Sequence, residues 1–487
     1  MSHILKKLSF WVASILLLSA LMPIASCVHR PDRSHPVPTA QQLEWQQMET
    51  YAFIHFGLNT FNDMEWGYGD TPASTFNPSD LDCEQWVLTL KNCGMKGVIL
   101  TAKHHDGFCL WPTETTDYSI KNSPYKNGQG DVVGELCDAC RKHGLKFGLY
   151  LSPWDRHQSE YGREGYVKIY HQQIQELTNH YGPFFEFWFD GANGGNGWYG
   201  GANETRSIVA SEYYNYEKAR DIIWERHPNT MIFGGTVPTL RWIGNEEGKA
   251  GTTLWSSYSI DFNDLNNTKL LSQGMPQGEA WLPAEVDVSI RPGWFFHDNE
   301  EPKTLEKLLD IYYNSVGHNA NLLLNFPVDK SGRISSKDSI RAMEWHQTIR
   351  DVFSDNLLKD CKVRASNTRS SRFSAKHVLC DDYSRYWATE DGISRAELVF
   401  DFPQRTTLNT IVLQEYIPLG QNVKGFSISY YCNGKWLPVE AYEDLTTIGY
   451  KRIVRFETVN AEKIRVRFKV AKGTLCISQV GAYMRQS

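Results

Sequence analysis

The chain has 487 residues, of which 41% are hydrophobic and 22% charged, and its net charge is −6 at pH 7. That length suits two or three domains of a soluble globular protein, and the negative balance gives no reason to expect nucleic acid or an anionic membrane surface as a partner. Aromatic residues make up 13% of the chain, with 16 tryptophans, which fits either a Trp-rich core or aromatic faces that stack on sugar rings.

Residues 1–27 read as a lipoprotein signal peptide. Lys6-Lys7 forms a basic start, and residues 8–21 form an apolar run too short for a comfortable membrane span. Ile24-Ala25-Ser26-Cys27 resembles a bacterial lipobox with Cys27 as the lipidated residue, an ordinary cleaved signal peptide being the alternative. Residues 28–40, rich in Pro and His, read as a tether. The expected location is lipid-anchored, in the periplasm or outer membrane of a Gram-negative bacterium, with membrane contact only through that anchor.

From residue 41 to 354, short apolar strands alternate with amphipathic helices, the pattern of an α/β (β/α)₈-like TIM barrel. Four apolar strands each run into polar or aromatic groups: residues 51–54 into His55, 97–101 into His104-His105, 146–150 into Ser152-Pro153-Trp154, and 185–189 into Asp190-Gly191. Helices are predicted over 82–93, 132–143, 166–181, 211–227, 304–316 and 336–353. Strands over 230–234, 253–255, 281–286 and 320–325 complete the eight, while 193–210 and 236–278 are loop-rich. Cys137-Asp138-Ala139-Cys140 sits in a helical pattern with no further ligands at metal spacing, so it reads as free or locally paired cysteine.

Residues 355–487 change character. Short β-rich runs separated by turn signals predict an all-β antiparallel sandwich. The runs 395–402 and 463–468 resemble a discoidin-type jelly roll, the fold of many family 32 carbohydrate-binding modules. Such a domain leaves room for a structural calcium; no cofactor is expected for catalysis.

Cleaving a glycosidic bond usually takes two carboxyl groups astride it. Asp190, at the end of a buried strand, is the first candidate; a helix N-cap or a buried ion pair is its structural alternative. Arg241-Trp242-Ile243-Gly244-Asn245-Glu246-Glu247-Gly248 holds the second, unless it is only a solvated acidic loop. His55, His104 and His105 could ligate zinc, but adjacent histidines point to opposite sides of a continuing strand. Hydrogen bonding to sugar hydroxyls fits them better, because neutral imidazole both donates and accepts. Trp66 and Trp294 lie in loops and can wall a pocket or cap the barrel.

Together His55-Phe56-Gly57, Lys103-His104-His105-Asp106-Gly107-Phe108 and Phe187-Trp188-Phe189-Asp190-Gly191-Ala192 resemble the signature segments of the family 29 glycoside hydrolases, the α-L-fucosidases. Residues 241–246 and 284–294 resemble the second subfamily, which favours α-1,3 and α-1,4 fucosyl branches of Lewis-type glycans. The resemblance implies a retaining exo-enzyme acting on fucosylated oligosaccharides by double displacement. It makes Asp190 the nucleophile and Glu246 the acid/base, with Glu247 a neighbouring alternative. It places His55, Glu65, Trp66, His104, His105 and Tyr150 on the fucose hydroxyls and Trp294 beside the C5 methyl. A broadly specific fucosidase and a non-catalytic glycan-binding lipoprotein are the rival readings.

Overall fold

The computed structural model describes residues 30–31, 33–261 and 267–485. The expected signal peptide, its lipobox and the first residues of the tether lie outside the described residues.

Eight parallel strands form the barrel: β1 Thr50–Ile54, β2 Gly97–Lys103, β3 Lys146–Leu151, β4 Phe184–Trp188, β5 Met231–Phe233, β6 Arg241–Trp242, β7 Ala284–Ser289 and β8 Ala320–Asn325. They pair in the order β5-β4-β3-β2-β1-β8-β7-β6. Between β5 and β6 the closure is made by Thr239. Its N–H donates to Ile232 O, and its hydroxyl accepts from Ile232 N at 2.7 Å.

The period-two alternation of each strand sorts its side chains. Ala52, Ile54, Val98, Leu100, Leu322 and Leu324 face outward and pack with helix residues such as Trp86, Leu90 and Leu136. Tyr51, Phe53, Ile99, Tyr150, Trp188, Phe233 and Leu323 face the barrel interior. An aromatic inner layer of that kind makes a packed floor on which a site can be built at the C-terminal ends of the strands.

The helices form where caps and apolar stripes agree. Asp82 caps Cys83–Asn92 through the Gln85 N–H, and Asp131 caps Val132–His143 through the Gly134 N–H. Gly144, in the left-handed region at φ 70°, ends the latter and feeds β3. The helix predicted over 211–227 breaks into Ala210–Tyr213 and Tyr216–Arg226, because Asn215 takes φ 49° and caps the second piece through the Lys218 N–H. The remaining helices expected from the sequence form as Glu164–His180, Leu305–Asn314 and Ser336–Val352.

Two predicted strands are corrected. The sixth barrel strand is Arg241–Trp242, not 253–255: the Arg241 N–H donates to Pro283 O and the Ile243 N–H to Glu285 O. Residues 253–256 run instead along the second domain. The seventh strand begins at Ala284, not at 281, because Ala280–Trp281 pairs antiparallel with Ser257–Tyr258 and Pro283 intervenes without an N–H to continue a ladder.

The sandwich comprises β9 Lys362–Ala365, β10 Trp387–Ala388, β11 Arg395–Glu415, β12 Val423–Cys432, β13 Lys435–Pro438, β14 Arg452–Val470 and β15 Cys476–Tyr483. All their ladders are antiparallel. Leu398, Phe400, Ile464 and Val466, at every second position, fill its core. Val412, Ile453 and Tyr483 join the outer barrel cluster, so the two domains share packed apolar surface.

Candidate active site

The nine residues singled out from the sequence line one cavity of about 420 Å³ at the C-terminal end of the strands. That volume lies in the lower part of the range for small-molecule sites. His55 follows β1, His104 and His105 follow β2, Tyr150 lies in β3, Asp190 follows β4, Glu246 follows β6 and Trp294 follows β7. Glu65 and Trp66 come from the loop after β1.

Asp190 is aimed by its neighbours. Tyr150 Oη donates to its Oδ2 at 2.8 Å, and the Ala192 N–H donates to its Oδ1 at 2.7 Å. Burial, reinforced by the Asp190 charge, pushes the Tyr150 phenol well above its ordinary range, so the tyrosine stays a donor. Glu246 is placed by Trp294, whose Nε1 donates to Oε2 at 3.3 Å. The Trp294 loop is in turn held by Glu65, which accepts from the backbone N–H of Trp294 at 2.9 Å and of Phe295 at 3.2 Å. Desolvation raises the Glu246 carboxyl, the indole N–H opposes this, and the charges of Asp190 and Glu65 raise it further. Glu247 does not line the cavity; its N–H turns back to Asn245 Oδ1.

The three histidines are neutral, and their hydrogen-bond partners assign the tautomers. Burial lowers the imidazole of His104, and the crowding of His105 and His55, which would repel a second imidazolium, and the Arg156 charge lower it further; burial lowers His105 against the opposing pull of Asp190. Burial drives His55 to about 3. Asn325 spends both amide hydrogens on Ser289 Oγ and Trp294 O, so its Oδ1 accepts from His55 Nδ1 at 2.8 Å. Ser152 donates to Trp154 O, so its Oγ accepts from His105 Nδ1 at 2.7 Å. Both rings therefore turn an unprotonated Nε2 to the cavity. Asn59 Nδ2 lies 3.4 Å from His104 Nδ1 as a donor, which leaves His104 with a proton on Nε2. The set offers two acceptors and one donor, a directional pattern suited to hydroxyl groups.

His104 and His105 do not point to opposite sides. A register shift between Thr101 and Lys103 bends the strand end. Lys103 turns out to Asp155 and Gln173, and both imidazoles enter the cavity with ring centroids 4.1 Å apart. Among the described residues no group of three or more His, Cys, Asp or Glu side chains is arranged to hold a metal ion.

The sequence reading missed Phe53, Trp188, Phe233, Trp242 and Asp287, which also line the cavity. Strand parity carries the signal for Phe53 and Trp188. Asp287 is marked only as an acid inside an apolar strand; it is buried, accepts from Trp242 Nε1 at 2.7 Å, and is pushed well above the carboxylate range by desolvation and by the Glu246 charge. Deeper in the barrel Glu285 accepts from Trp188 Nε1 at 2.8 Å and from Tyr51, and Glu186 accepts from Trp45 Nε1 at 2.7 Å. Burial raises both carboxyls, so the pair keeps proton density where water cannot reach.

A pair of carboxyl groups, one held by a phenol and one raised by burial, facing a pocket lined by neutral imidazoles and indoles, defines a glycoside hydrolase site. The family model "Alpha-L-fucosidase" matches residues 34–345, and the model "F5/8 type C domain" matches residues 362–480. The chain is 40% identical to alpha-L-fucosidase 1 of Arabidopsis thaliana over 98% of this chain and 93% of that protein. Its fold matches a glycoside hydrolase 29 family member from an unknown rumen bacterium at a TM-score of 0.84 and 44% identity, over 94% of this chain and 78% of that one. It also matches a Ruminococcus gnavus fucosidase of the same family, in complex with fucose, at a TM-score of 0.86 and 34% identity, over 94% of this chain and 97% of that one. The chain belongs to the α-L-fucosidases of glycoside hydrolase family 29 and carries a C-terminal discoidin-like domain.

Proposed function

We propose that the protein is a retaining exo-α-L-fucosidase that removes α-1,3- and α-1,4-linked fucose from branched, Lewis-type glycans. The observation that carries the mechanism is the placement of Asp190 and Glu246 on one cavity, each held by its own donor, Tyr150 and Trp294. Asp190 attacks the anomeric carbon and the glycosidic bond breaks, while Glu246 gives its proton to the departing oxygen. Glu246 then takes a proton from water, which attacks the fucosyl–Asp190 ester and frees both fucose and the carboxylate. The raised carboxyl of Glu246 keeps that proton available above the ordinary glutamate range. The Nε2 atoms of His55 and His105 accept from fucose hydroxyls and the Nε2–H of His104 donates to one, while Trp66 and Trp294 wall the ring.

Linkage selectivity rests on residues 241–246 and 284–294, the segments that resemble the branch-selective subfamily. They meet at the Trp294–Glu246 hydrogen bond, and Glu246 is the residue proposed to protonate the departing sugar. A small 6-deoxy sugar makes few contacts, so binding energy from the neighbouring sugars must be realised in the transition state to raise the rate. The test is kcat/KM for a Lewis-type trisaccharide, a 2-fucosyl disaccharide and an aryl fucoside under one condition. Preference for the trisaccharide is expected; equal values, or preference for the α-1,2 linkage, would remove the selectivity claim.

A further inference from the structure

The loop that carries Glu246 leaves the barrel and lies against the sandwich. Residues 252–256, a few positions past Glu246, are held there by side chains of the second domain. Gln421, buried, accepts from the Ser256 N–H at 2.7 Å and donates to Leu254 O at 2.8 Å, as a neighbouring strand would. Thr447 Oγ1 accepts from the Leu254 N–H at 2.8 Å. Arg452 donates to Thr252 O at 2.8 Å, and Thr446 donates to the same oxygen at 2.7 Å. Beyond this clamp the tie runs back to the site. Arg241, buried at the start of β6, donates to Trp255 O at 2.9 Å, to Leu271 O at 3.1 Å and to Leu282 O. Both ends of the 241–256 segment are therefore fixed: one in the barrel sheet, the other on the sandwich.

We infer that the discoidin-like domain is a positioning element of the active site, and that Gln421 and Thr447 hold the 241–256 segment so that Glu246 reaches the departing oxygen. The inference rests on the reading of Glu246 as acid/base. Neither residue touches the cavity; both act through the backbone of residues 254 and 256. Loss of either contact leaves a buried peptide group of the clamp unpaired, which the segment relieves by shifting. A shift of about 1 Å at a proton-transferring group is enough to lower a rate about a hundredfold.

The test uses Thr447→Val, which removes the acceptor at constant shape, Thr447→Ser, which keeps it, and Gln421→Ala. Each full-length variant is assayed for kcat/KM on phenyl α-L-fucoside, whose leaving group needs a proton, and on α-L-fucosyl fluoride, whose leaving group does not. The expected result is a fall of about tenfold or more with the phenyl substrate for Thr447→Val and Gln421→Ala, little change with the fluoride, and recovery in Thr447→Ser. Equal losses on both substrates, or no loss on either, would overturn the inference, because a general loss of folded enzyme lowers both together. Thr447→Val is the milder change and decides the matter where Gln421→Ala does not fold. Glu246→Ala is run with the same pair. If it shows no split between substrates, the acid/base reading fails; if it shows the split and Thr447→Val does not, only the role of the sandwich fails.

Discussion

Tyr150 donates its phenolic hydrogen to Asp190 at 2.8 Å from the inner wall of the barrel. The tyrosine is buried beneath the cavity, with its ring stacked on Trp188 at a centroid distance of 5.6 Å. Trp188 is itself tied to Glu285 through Nε1. The nucleophile candidate is thus braced from below by a chain of inward-facing side chains, while its other oxygen is fixed by the Ala192 N–H. An aspartate held on both oxygens is aimed before substrate arrives, which is how a positioned group saves the entropy of finding its attack geometry.

Replacing Asp190 with Ala is expected to abolish turnover while leaving the fold intact, because the covalent step disappears. Azide added to this variant with an activated fucoside should give the inverted β-fucosyl azide. Substantial residual activity in the well-folded variant, with no azide dependence, would remove Asp190 from the role.

Glu246→Ala is expected to keep some activity on activated substrates and to be rescued by azide with retention, giving the α-fucosyl azide. Glu247→Ala should behave as the parent enzyme, since its side chain lies off the cavity. Rescue that tracks Glu247 instead would shift the acid/base by one residue.

Trp294 donates the hydrogen bond that holds the Glu246 carboxyl down, against the desolvation and negative charges that raise it. Trp294→Phe removes that donor and keeps an aromatic wall. The carboxyl then rises further, so the alkaline limb of the kcat/KM profile moves to higher pH. A limb that stays in place, or moves to lower pH, would show that the limb does not report Glu246 or that the indole N–H does not set it.

His55 ties acid stability to the site. Its folded pKa lies at about 3, whereas in the unfolded chain a histidine takes up a proton below about 6.5. Its contribution is full above the unfolded value and is lost as the pH falls from there towards 3, by roughly 1 kcal/mol per unit. Thermal melts across pH 4–7 should show a shallower acid decline for His55→Asn than for the parent. Equal slopes would mean that His55 gains its proton in the folded state.

Legibility in the sequence followed the length of each element and the locality of its contacts. Strands β1 to β4 are five to seven residues long and apolar on both faces, so they and the polar groups at their ends stand out. The two residues of β6 are too few to carry a period, and the apolar stretch at 253–255 offered itself in their place. Adjacent His104 and His105 looked divergent because alternation assumes an unbroken strand; the register shift before Lys103 cancels that assumption.

The sequence by itself determined the barrel class and the sandwich that follows it, because strand periodicity is a local property of the chain. Seven of the nine cavity residues stood out in it as polar or aromatic groups at strand ends and in loops, while Glu65 and Tyr150 came only from the resemblance to the fucosidase signature segments. Tertiary structure alone decided the protonation and tautomers of the three histidines, the choice of Glu246 over Glu247 for the cavity, the buried acids Glu186, Glu285 and Asp287, and the clamp of Gln421 and Thr447 on the loop after β6. Each of these depends on desolvation or on hydrogen bonds between residues far apart in the chain. Such bonds form only once the barrel has closed and the sandwich has packed on it.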